Sequence, residues 1–240
     1  MPIVNTKAIV FGAIKYGDTS LIVKCFTLED GVKSYMVKGV LSSKKGKLKT
    51  AYFQPLTQLQ MVANHNHKNT LNSIKEARVV HLYRSMHTSI VKQTIAMFLS
   101  EILSSIIQEE EKNPGLYIYI ETALLWLDSH DEISNFHLVF LMNLSRFLGF
   151  YPDTANMGKK GFNLAEGSFT DSEHENLTLY NVELILFKRV LGINFDAINA
   201  ISLNKNERQI ILKTIIKYFE LHLDGFRKPK SLDILETVFN

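Results

Sequence analysis

The chain has 240 residues, 46% hydrophobic and 21% charged, with a formal net charge of +3, an ordinary composition for a soluble globular protein of one large or two smaller domains. Its single cysteine, Cys25, excludes an intramolecular disulfide and any cysteine-rich zinc site, and fits a reducing compartment. There is no apolar run of the roughly 18 residues a membrane span needs, and "MPIVNTKAIVFG" has no basic stretch leading into an apolar one, so a cytoplasmic protein with no signal peptide is expected.

The charge is unevenly spread. Residues 1–80 hold 12 Lys and Arg against 4 Asp and Glu, and the rest of the chain holds 15 against 20. A basic first third joined to an acidic remainder suggests two units with different partners, the basic one suited to a polyanion.

The first eighty residues read as strands. "KAIVFGAIKYG" (7–17), "SLIVKCFT" (20–27), "VKSYMVKG" (32–39), "PLTQLQMVA" (55–63) and "NTLNSIKEARVV" (69–80) are rich in β-formers and separated by Gly, Asp or Asn turns. Five short strands at this spacing are the size of an OB-type barrel. Near Tyr83 the apolar period changes. Ile90, Ile95, Phe98, Leu99, Ile102, Leu103 and Ile106 recur at helical spacing, and Asn113-Pro114-Gly115 is read as their stop. "LYIYIETALLWLDSH" and "SNFHLVFLMNLSRFLG" predict two further helices, apolar on most faces and expected to be buried. Ser134 is the candidate N-cap of the second, and Gly149 its stop. Residues 151–179 are irregular, with a hairpin expected around "AEG". Helices resume at "NVELILFKRVLG", at "NKNERQIILKTIIKYFELHL", where Asn204 and Glu207 have capping-box spacing, and at "SLDILETVF".

No catalytic signature is present: no P-loop, GxGxxG, GxSxG or HExxH. His65 and His67 in "NHNHKN" and the acids and His174 in "DSEHE" read as solvated loops, since a metal site needs further ligands that the sequence does not supply. Cys25 reads as an inert strand thiol, and Trp126 as core. The stretch "GVLSSKKGKLKTAYFQP" is more informative. From Lys33 to Lys49 there are six lysines and no acid: Lys33, Lys38, Lys44, Lys45, Lys47 and Lys49. Lys15 and Lys24 add charge on the preceding strands. Such a track follows a phosphate backbone, and aromatics beside it stack on bases. Tyr16, Tyr35, Tyr52 and Phe53 are candidates for that role, though some must fill so small a barrel.

The order of these features resembles the RecO family of bacterial recombination mediators. The resemblance is carried by "AIVFGAIKYGDTSLIVKCFTLEDG", "VKGVLSSKKGKLKTAYFQPLTQLQM", "AMFLSEILSSIIQEEEKNPGLYIYIETALLWL", "RFLGFYPD" and "HLDGFRKPKSLDIL", which together span nearly the whole chain. It implies a non-enzymatic DNA repair protein that binds single- and double-stranded DNA, anneals complementary strands and helps a recombinase replace single-strand binding protein. The implied partners are RecR and the C-terminal tail of that binding protein. Many members hold zinc with four cysteines after the Leu-Gly-x-x-Pro turn. Here Met157 to Glu175 contains none, so a zinc-free insert is expected, with "FNLAEGSFTD" resembling the hairpin between the cysteine pairs.

The expectation is therefore an α+β protein. An OB-type β-barrel over residues 1–80 precedes a mostly α-helical domain over 81–240, with an irregular insert at about 151–179 and no flexible linker between barrel and helices. It takes no cofactor and no metal. It is cytoplasmic and nucleoid-associated, touches no membrane, and contacts DNA through Lys15, Lys33, Lys38, Lys44, Lys45, Lys47 and Lys49. The rival reading is a protein-interaction adaptor that works through the helical domain, its lysines serving only solubility.

Overall fold

The computed structural model describes residues 2–42, 48–66, 71–108, 111–172 and 176–239. Five strands form a closed barrel: β1 (Ile3–Tyr16), β2 (Ser20–Thr27), β3 (Gly31–Val37), β4 (Gln58–Asn64) and β5 (Asn72–Val79). Their order around the barrel is β1-β2-β3-β5-β4, antiparallel except for the β3–β5 closure. This is the OB-type barrel expected from the strand spacing. β1 is long because it serves two partners. Ile3–Ile9 pairs with β4, and Ala8–Tyr16 pairs with β2. The register to β2 slips between Val10 and Gly12, a bulge that bends the strand and leaves Phe11 over to pack against Phe26.

One parity of each strand fills the barrel: Val10, Val23, Cys25, Tyr35, Val37, Leu59, Met61 and Ala63 are buried together with Phe53. Burial pushes the Cys25 thiol up to about 12, so it stays a protonated, unreactive apolar residue at neutral pH.

The first compact unit extends beyond the barrel. It runs through Ser129 and takes in Pro229–Ser231, so it contains α1 (Ile90–Ile106) and α2 (Pro114–Ser129). Ser89 caps α1. Pro114, read from sequence as part of a helix stop, is instead the first residue of α2. Proline suits that position because its missing N–H has no helical acceptor there. The two helices hold the barrel through Phe26 against Tyr117, Lys7 Nζ to Glu121 Oε1 at 3.0 Å and Lys24 Nζ to the Ser104 carbonyl at 2.5 Å. Trp126 is half-buried on α2 rather than core, and α2 also leaves Ile118 exposed.

The second unit contains α3 (Phe136–Phe147), β6 (Gly161–Asn163), β7 (Ser168–Thr170), β8 (Thr178–Leu179), α4 (Asn181–Val190), α5 (Lys205–His222) and α6 (Leu232–Val238). α3 is buried from Phe136 to Ser145. Its N-cap is Asn135, not Ser134, and makes no side-chain cap bond. Gly149 follows the helix end with φ +83°, the left-handed position where glycine costs least. The capping box of α5 is present, with Asn204 Oδ1 accepting from Glu207 N at 3.0 Å and Glu207 Oε2 from Asn204 N at 2.8 Å. The expected hairpin around "AEG" is β6–β7.

Candidate nucleic-acid interface

The hairpin of β1 and β2 outruns the barrel core. The last four residues of β1, Ala13 to Tyr16, are exposed, and Gly17 turns the chain with φ +59°. On the outward face of this hairpin the register sets Tyr16 opposite Ser20, Ile14 opposite Ile22 and Gly12 opposite Lys24. β3 continues the rows, with Met36 opposite Ile22 and Ser34 opposite Lys24. Lys15 has the other parity, paired with Leu21, and is exposed beyond the core.

The lysine loop leaves and returns beside this tip. After β3, Leu41 N donates to Thr19 O at 2.9 Å, which ties the departing chain to the β1–β2 turn. On the return, Thr50 Oγ1 donates to Val40 O at 3.3 Å. A short 3-10 helix over Thr50–Phe53 then drives Phe53 into the barrel.

Of the expected contact residues, Lys15, Lys38 and Lys49 are exposed around this tip. Lys44, Lys45 and Lys47 lie outside the described residues. Lys33 is half-buried near the opposite end of β3, paired with Cys25. It is about 16 Å along the chain from Lys38 at the usual strand rise, so the two do not share a position. Lys24 is spent on the Ser104 carbonyl, and burial lowers its pKa. The aromatics also separate. Tyr35 and Phe53 are buried core, Tyr52 is partly buried against that core, and Tyr16 is 56% exposed.

Sequence reading missed one buried constellation. His65, expected in a solvated loop, is only 6% exposed. Its Nε2 lies 2.8 Å from the Tyr35 hydroxyl and its Nδ1 3.1 Å from Asp30 Oδ2. The His65 N–H also bonds Pro2 O. The ring therefore fills the barrel's end, and Tyr35 is kept protonated chiefly by burial, then by the nearby Cys25 and Asp30. The signal was absent from sequence because His65 follows directly on β4, in a polar stretch.

The described part of the insert packs around apolar side chains, among them Phe162, Leu164, Phe169 and Leu179, all buried, and among the described residues no three His, Cys, Asp or Glu are placed to hold a metal ion. His67 and His174 lie outside the described residues. An aromatic clamp from α5 holds the hairpin. Phe162 packs on Phe169, Phe187 and Tyr218. The Tyr218 hydroxyl donates to Phe150 O at 2.8 Å, and His222 Nε2 lies 2.8 Å from Leu164 O. The His222 ring stacks on Phe150 at an interplanar angle of 4°.

Comparison with known proteins agrees with this architecture. Residues 1–83 match the family model "Recombination protein O N terminal", and residues 87–233 match "Recombination protein O C terminal". A DNA repair protein RecO of Flavobacterium psychrophilum is 49% identical over 237 residues, covering 99% of both chains. That of Christiangramia forsetii is 46% identical with the same coverage, and that of Bacteroides fragilis is 36% identical over 98% of this chain and 99% of its own. With both family models matched and this identity sustained from end to end, the chain belongs to the RecO family of DNA repair proteins.

Proposed function

We propose that this protein is a non-enzymatic recombination mediator. It binds single- and double-stranded DNA at the open tip of its barrel, anneals complementary strands and helps a recombinase replace single-strand binding protein. The observation that supports this reading is convergence: exposed Lys15, Lys38 and Lys49 and exposed Tyr16 surround the point where the lysine loop leaves and rejoins the barrel. Cations there neutralise phosphate, and DNA binding by such groups is driven by counterion release. RecR and the C-terminal tail of single-strand binding protein are the protein partners of this reading, which places the protein in the cytoplasm at the nucleoid.

The test is a salt titration of single-strand binding by the whole protein. Changing Lys44, Lys45, Lys47 and Lys49 to Ala should weaken binding similarly for all sequences and reduce the salt slope by up to about 3, at roughly 0.7 per lost phosphate contact. An unchanged affinity and slope would leave the loop a solvated tip. The adaptor reading has one observation in its favour. α4 leaves Val182 and Ile185 exposed beside an open cavity of about 600 Å³ lined by Lys160, Tyr180, Leu184 and Ile185. A protein that binds its partners but no DNA at any salt would favour it.

A further inference from the structure

We infer that Tyr16 is a base-stacking residue, and that it gives the barrel tip a preference for single strands over duplex. The inference rests on the DNA-binding reading above and adds a residue and a selectivity that lysines cannot supply. Ammonium groups read phosphate, and phosphate is present in both forms of DNA. An exposed ring reads the flat face of a base, which is free in a single strand and stacked away in a duplex.

Three observations single out Tyr16. It is the most exposed of the four aromatics near the lysines, and Tyr35 and Phe53 are committed to the core. It projects from the outward face of a hairpin end where Ile14, at 65% exposure, lies two residues before it on the same face. Ile22 and Met36, partly buried, continue the Ile14 row across β2 and β3. This gives an apolar platform next to Tyr16. The charge around it is also complementary to a polyanion. Lys15 is its chain neighbour. Lys38 lies one residue beyond the Leu21–Val37 pair, so it sits two strand spacings from Tyr16, about 10 Å. Among the described residues of this tip the one acid is Asp18, in the turn itself. At this hairpin end Tyr16 and Ile14 stand in water and bury little apolar surface within the chain itself. A single strand whose phosphates meet Lys15 and Lys38 would cover both.

The experiment compares the intact protein with Tyr16→Ala and Tyr16→Phe on three probes of equal length: a single strand, the same backbone with abasic sites at its centre, and a duplex. Wild type should bind the single strand most tightly. Tyr16→Ala should weaken that complex about tenfold, the scale of one stacked base, while leaving the abasic strand, the duplex and the salt slope unchanged. Tyr16→Phe keeps the ring and should bind like wild type. A 2-aminopurine placed in the single strand should be quenched by wild type and by Tyr16→Phe, and not by Tyr16→Ala. Equal binding of the single strand by wild type and Tyr16→Ala overturns the inference while leaving the DNA-binding reading intact. Equal weakening on all three probes also overturns it, because Tyr16 would then be supporting the hairpin rather than reading bases. Failure of wild type to bind any probe overturns the DNA-binding reading itself.

Discussion

Single residues fasten the joints of the chain. Asp128, at the end of α2, accepts from the backbone N–H groups of Arg84, Ser85 and Met86 at 2.8, 2.8 and 2.9 Å, and the Ser85 hydroxyl donates to its carbonyl at 2.7 Å. Partial burial works to raise its pKa, but these hydrogen bonds outweigh it and hold the carboxyl below its ordinary value. A depressed carboxylate contributes stability above its unfolded pKa of about 4, and that contribution is lost as pH falls through the folded value. Asp128→Ala should therefore cost about 1–3 kcal/mol at pH 7, and the gap from wild type in a denaturant titration should shrink by pH 3. His137 has a similar sign from a different cause. Burial, and then Arg208, lower its pKa to about 3. The buried neutral ring stabilises fully above its unfolded pKa of about 6.5 and loses up to about 1.4 kcal/mol per pH unit below it. His137→Phe should flatten the stability profile between pH 6.5 and pH 5, and an unchanged slope there would assign the acid sensitivity to other groups.

At the scale of elements, the hairpin insert is held by aromatic packing around Phe162 and Tyr218. Gly167 turns it with φ +66°, and a Cβ there would lie 2.6 Å from the Tyr218 hydroxyl. Gly167→Ala meets both left-handed strain and that overlap, so it should cost about 2 kcal/mol or more. Tyr218→Phe removes the hydroxyl and its bond to Phe150 O, at about 1–2 kcal/mol. The double variant should cost less than the sum by at least about 0.5 kcal/mol, since the second change removes the atom that the first one strikes. Additive costs would mean that backbone strain alone makes Gly167 necessary. The same clamp predicts that a chelator leaves the melting temperature unchanged. One tightly held zinc per purified chain by elemental analysis would sink that expectation.

For the whole molecule, the family models part at residues 83 and 87, whereas the first compact unit continues through Ser129. The physical reason is on the barrel's surface. Phe11 and Phe26 are buried, and Tyr117 of α2 covers Phe26. A chain cut after Val80 leaves those rings wet, so a fragment of residues 1–80 should melt lower and aggregate more than one of residues 1–129. We further expect limited proteolysis of the intact protein to spare residues 80–85, whose last two residues Asp128 fastens. Equal stability of the two fragments would show the barrel to be self-sufficient.

Strand and helix periodicity, the Gly149 stop, the capping box at Asn204 and Glu207 and the hairpin around "AEG" were legible in the sequence, because each depends on residues within a few positions of one another. The family was legible too, through the order of several short motifs. Other features needed the tertiary structure, because distant segments decide them. Tyr16, Tyr35, Tyr52 and Phe53 look alike along the chain. Register and the end of the barrel core put Tyr35 inside and leave Tyr16 in water. Lys24 looks like Lys15 until the Ser104 carbonyl, 80 residues away, claims it. His65 reads as a solvated loop residue, and is buried because Tyr35 and Asp30, far from it in sequence, come to its ring. Local patterning determines which elements form and which faces are apolar. Only closure of the barrel decides which of several equivalent side chains is left to meet a ligand.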